Sequence, residues 1–107
     1  MNVNRFDTII TEQLDRCRDL LVKKGAEYVF DDDRLSAFKK AAVLQGCSQA
    51  EAALGMMVKH FISVTDMVRS REHYTTSRWD EKITDSINYL LILRAIIEEG
   101  AGAHEQD

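Results

Sequence analysis

Residues Trp79 to Glu99, WDEKITDSINYLLILRAIIEE, decide the fold. Trp79, Ile83, Ile87, Leu90, Leu91 and Arg94 recur at helical spacing and predict a bundle-facing stripe. Glu81, Asp85 and Asn88 recur at steps of four and three on the opposite side. That second stripe runs on into Ile92, Ala95 and Ile96, so the helix is apolar nearly all round from Leu90. A helix apolar on both sides is buried on both sides. Two acids and an amide on its flank are either a solvated first half or a site.

The segments upstream also read as helices. Val3, Phe6, Ile10, Leu14, Cys17 and Leu21 form one stripe of a helix from about Asn4 to Lys24. Gly25 is placed as its left-handed stop. The stretch GAEYVFDDDR reads as a loop. Its three aspartates lack calcium-loop spacing, and Asp33 or a neighbour is expected to cap a short helix, Arg34 to Gln45, that ends at Gly46. Leu35, Phe38 and Ala42 are its inward residues. Ser48 and Glu51 form a capping box opening a third helix, Gln49 to about Arg71. Its expected seam is Ala50, Leu54, Met57, Phe61, Val64 and Val68, with Ala53, Met56, His60 and Met67 flanking it and widening the buried face. Gly55, inside that helix, predicts a close approach by a helix or a ligand. Ser77 is the expected cap of the last helix, and Gly100 its stop.

These patterns predict one all-α domain over residues 1–99, a helical bundle of three long helices and one short one, with a disordered tail at 100–107. The all-round apolar segment after Leu90 predicts assembly as a dimer or higher oligomer.

Composition narrows the classes of function. The formal net charge is −4, which argues against binding nucleic acid backbones or anionic membranes. No run approaches the roughly 20 apolar residues of a membrane span. The start, MNVNRFDTII, lacks a secretory pattern. Cys17 and Cys47 have no metal-site spacing and predict reduced thiols in a cytoplasmic protein.

Candidate chemistry centres on Glu81, Asp85 and Asn88. Carboxylates at this spacing can hold a hard cation such as magnesium together with substrate phosphates. The plain alternative is a solvated face. His60 borders the seam of the third helix and Lys59 points away from it; either is a phosphate or base contact, or an ordinary packed or solvated residue. Tyr28, in the loop, either packs under the bundle or lines a pocket. No nucleophile with a paired base is legible.

Lys24-Gly25-x-x-Tyr28, the Phe38 helix, Met57-Val58-Lys59-His60 and Asp85-x-x-Asn88-Tyr89, in that order, resemble a group of small phage and prophage proteins that includes the nucleotide modification associated domain. The resemblance covers about residues 14–99. More remotely, the layout is similar to the all-α nucleoside triphosphate pyrophosphatases of the MazG and dimeric dUTPase group. Those are helical oligomers holding magnesium between E-x-x-E and E-x-x-D pairs. Here Asp85 matches the Asp of the second pair, Lys82 stands at the position of its Glu with Glu81 beside it, and the third helix has no E-x-x-E.

The resemblance implies binding of a nucleotide or nucleotide-like phosphate, with magnesium, held through Glu81 and Asp85, as the implied cofactor of any hydrolysis. The implied ligand contacts are Glu81, Asp85, Asn88, Lys59, His60 and Tyr28. The alternative is a non-enzymatic binder that sequesters a nucleotide signal or inhibits a host protein.

Overall fold

The computed structural model describes residues 1–25 and 32–104. It is all-helical, and the described residues contain no strand. Helix α1 spans Val3–Arg18, α2 Ser36–Gln45, α3 Gln49–Arg69 and α4 Thr76–His104. Local chemistry sets most of these limits. The Asn2 side chain accepts from the Arg5 N–H to start α1. Ser48 and Glu51 close the capping box of α3 from both sides, each at 3.1 Å. Gly46 ends α2 in the left-handed region, at φ 65°, where a residue without Cβ meets no steric cost.

Four of the expected ends fall elsewhere. Past α1 the chain continues through a π-helical turn, Asp19–Lys24, in which the Gly25 N–H reaches the Leu20 carbonyl five residues back. Gly25 itself is right-handed, at φ −58°. Helix α2 starts at Ser36 instead of Arg34, because the Asp33 carboxylate turns the chain there by accepting from the Leu35 N–H at 2.9 Å. Thr75, not Ser77, caps α4 by accepting from the Arg78 N–H. Gly100 does not stop α4, which runs on to His104. A glycine costs a helix only about 1 kcal/mol, which a helix this long absorbs.

Packing is organised around α4. Helix α3 lies along it, α2 packs on α3, and α1 docks on α4. A small core forms where α2, α3 and the second half of α4 meet: Leu35, Phe38, Ala53 and Ile96, with Met56, Tyr89 and Ile92 against it. Lys39 of α2 ties this end together, bonding Asp33 at 2.6 Å and Glu99 of α4 at 3.0 Å. The bond from Lys39 lowers the pKa of Asp33, helped by the Leu35 N–H, and the Asp33 and Glu99 carboxylates raise that of Lys39.

The inward faces differ from those the wheels predict. In α3, Met57 and the flanking Ala53 and Met67 are buried as expected, but Leu54, Phe61 and Val68 of the seam are exposed. In α4, Ile83, Leu90 and Leu91 are exposed, while Thr84, Ser86 and Asn88 are buried. In α1, only Cys17 of the predicted stripe is buried. Each helix carries two usable faces, and the chain covers the less apolar one of α4. Gly55 is exposed, with open space where a Cβ would stand. The close approach expected there is not made by this chain, because α3 turns its Ala53 and Met57 side inward. No helix among the described residues is long and apolar enough to cross a membrane.

Candidate functional site

The spacing of Glu81, Asp85 and Asn88 does put them on one side of α4, but their exposure falls from the first to the last. Glu81 is exposed, Asp85 is half-buried and Asn88 is 6% exposed. The Asn88 Oδ1 is buried without a hydrogen-bond partner among the described residues. A carboxamide oxygen so placed is unusual, since buried polar atoms are nearly always paired.

Helix α3 brings His60 to the same place. One turn beyond the buried Met57, its ring stacks on Tyr89 with centroids 4.9 Å apart and planes at 28°. Its Nδ1 lies 3.8 Å from the Asp85 Oδ2. That is beyond hydrogen-bond reach, and it makes an ion pair only when the imidazole is protonated.

Asp85, Asn88 and Tyr89 face a cavity of about 440 Å³ between α4, the π-helical turn and the start of α2. This lies within the usual range of small-ligand sites. Leu20, Leu21 and Val22 supply one wall, Leu35 a second, and Leu91, Ile92 and Ala95 of α4 a third. The π turn matters here, because its extra residue per turn changes the direction in which Leu20 to Val22 project. Such turns often sit at functional sites.

Arg34 lies at the rim. Its Nη2 donates to the Leu21 carbonyl at 2.6 Å and its Nη1 to the Val22 carbonyl at 3.2 Å. The guanidinium therefore satisfies carbonyls left over by the irregular turn, and it leaves further N–H donors for another acceptor. It passes so close to Gly25 that a Cβ there would collide with it. Gly25 is therefore not a left-handed stop, and a side chain there would have to move the end of Arg34 aside.

Of the expected site residues, Asp85 and Asn88 line the cavity, and His60 reaches it through Asp85 and Tyr89. Glu81 and Lys59 are exposed and do not line it. Glu81 lies on the exposed side of α4 a full turn before Asp85, and Lys59 points off the outer side of α3. Tyr28 lies outside the described residues. Arg34, Tyr89 and the leucines of the π turn were not among the candidates. Arg34 had one signal, a cation directly after three aspartates at a helix start; the π turn had none.

Among the described residues no group of three or more His, Cys, Asp or Glu is arranged to hold a metal ion. A larger, shallower depression of about 820 Å³ lies beside the turn from α2 to α3. Its Lys39 and Ser48 are already engaged. Both cysteines are free thiols.

No protein-family model, curated protein or solved structure matches the chain.

Proposed function

We propose that this protein binds a small nucleotide-like ligand in the cavity between α4, the π turn and the start of α2, as its resemblance to phage and prophage nucleotide proteins implies. The observation that carries this reading is Asn88, a buried amide with an unpartnered Oδ1 on the wall of that cavity. A flat base with polar edges suits the lining. Leucine, isoleucine and alanine side chains would cover its faces. Asn88 can donate and accept at once, and Asp85 accepts from ring or exocyclic N–H groups. Arg34 is the cation at the rim for a phosphate, a pairing that guanidinium geometry favours. His60, stacked on Tyr89, holds the base of the site in shape. Free thiols suit a reducing compartment such as the cytoplasm.

Binding is the activity this lining supports. Of the two acids expected to hold magnesium, Asp85 lines the cavity and Glu81 stands apart from it, which leaves one carboxylate to act with substrate phosphates. The test is a thermal-shift screen of nucleosides and nucleotides, with and without magnesium, followed by calorimetry. A ligand at 100 times its dissociation constant adds about 2.7 kcal/mol. Binding that Asn88→Leu and Asp85→Asn each weaken at least tenfold supports the reading. Binding left intact in both variants, or no shift with any nucleotide at millimolar concentration, overturns it. Phosphate or pyrophosphate release in the magnesium arm would make the protein an enzyme.

A further inference from the structure

The molecule exposes more surface than a compact chain of its size. Its accessible area is 8209 Å², against roughly 6,100 Å² expected for a monomer of 12.2 kDa. Its radius of gyration is 16.3 Å, against about 13 Å for a compact domain of this length. The excess, about 2,100 Å², is what one partner of a large obligate interface covers.

Two continuous apolar features stand out on that surface. The first is a ridge on α1. Phe6, Ile10 and Leu14 continue the stripe that ends at the buried Cys17, and they are 54%, 43% and 55% exposed. Helix α1 packs extensively on α4 alone, and of its first ten residues only Ile9 is partly covered. The second is a groove between α3 and α4, about 370 Å³, walled by Phe61, Val64, Ile83, Ile87 and Leu90. Phe61 and Thr65 carry it on into a second depression at Val58 and Ile62. Scattered exposed apolar residues are ordinary, but a continuous ridge and a continuous groove mark an interaction surface.

We infer that a second copy of this chain covers this face, in a two-fold pair with the α1 ridge of each copy in the α3–α4 groove of the other. Three observations select that occupant. Ridge and groove occur on one chain, which is the self-complementarity a two-fold interface requires. The ridge residues, at steps of four, are the spacing with which a helix fills a groove. The excess area matches a dimer of two such faces. A membrane surface is a poor alternative, because α1 also carries Asp7, Glu12 and Asp15 in a chain of net charge −4.

The test is the mass in solution, by sedimentation equilibrium, of the full chain and three variants. Wild type is expected at about 24 kDa, twice the 12.2 kDa of one chain. Phe6→Glu and Phe61→Glu, at exposed positions of ridge and groove, are each expected to give the monomer mass with the helical circular dichroism kept. Leu44→Glu, at an apolar position 86% exposed on α2, is expected to remain dimeric. A wild type that stays at 12.2 kDa at about 100 µM overturns the inference and leaves the face to a different protein. A dimer that survives both ridge and groove variants overturns it too. If either variant unfolds, the wild type decides. A melting temperature that rises with protein concentration supports the pair, and one independent of concentration counts against it.

Discussion

The Arg34 guanidinium occupies the space beside Gly25 where any other residue would place its Cβ. Gly25 has right-handed backbone angles that alanine adopts freely. Its substitution therefore acts through Arg34 alone. Gly25→Ala should push Arg34 off the Leu21 and Val22 carbonyls and lower stability by about 1 kcal/mol. In an Arg34→Ala background the same change should instead raise stability by about 0.5–1 kcal/mol, through backbone entropy. Urea unfolding of the four proteins checks the change of sign. The same sign in both backgrounds would mean that the contact is not formed.

Asn88 is predicted to cost the free protein stability. Asn88→Leu replaces a buried amide whose Oδ1 has no partner among the described residues by an apolar side chain of similar size and better helix propensity. Ligand-free stability should rise by about 1–3 kcal/mol. A fall of that size would show that the Oδ1 has a partner.

Gln13 and Thr84 hold α1 on α4. The Gln13 Nε2 donates to the Thr84 Oγ1 at 2.8 Å, and Thr84 is buried. Thr84→Val keeps the shape and removes the acceptor, so stability should fall by about 1–2 kcal/mol. Gln13→Ala added to it should cost little more, because the bond is already gone. Fully additive losses in chemical denaturation would mean that the two side chains act separately.

Acid should weaken the helix starts before neutral pH does. The Ser48 N–H, and then its hydroxyl, lower the pKa of Glu51, and the bond from Lys39 lowers that of Asp33. Their contributions are complete above the ordinary carboxylate range and are lost as pH falls below about 4. Lys39, with its pKa raised, contributes throughout and is lost only above about pH 10.5. Stability should thus be flat in this respect from about pH 5 to 9. Ser48→Ala should cost about 1 kcal/mol at pH 7, and Glu51→Gln, which still reaches the Ser48 N–H but has no proton to take up, should lose less between pH 5 and 3 than wild type. A parallel loss in both proteins would remove Glu51 from the acid response.

The candidate site was half legible. Asp85 and Asn88 could be found because α4 spacing alone puts them on one side of a helix. His60 was legible as a residue at a seam, but its stack on Tyr89 requires the crossing of α3 and α4. Arg34 was missed because its role depends on carbonyls twelve and thirteen residues earlier, freed by a π turn that no residue pattern announces. Glu81 was included because spacing groups it with Asp85 without telling which of the two a neighbouring element covers, and Lys59 because it adjoins His60, although its side of the wheel faces away from the seam.

The sequence by itself determined that this chain is helical, where α3 begins, and where α2 stops. Those features rest on bonds between residues three to five apart, such as the Ser48–Glu51 box, and on the freedom of Gly46 at positive φ. Only the tertiary structure decided which side of each helix turns inward. Helices α3 and α4 each carry two stripes able to pack, so their wheels leave the choice open. The choice is made by contacts between distant segments, where Leu35, Phe38 and Ala53 close over Ile96. That packing puts Asn88 inside and leaves Phe61 and Leu90 outside, since a chain this short cannot cover both faces of its longest helices.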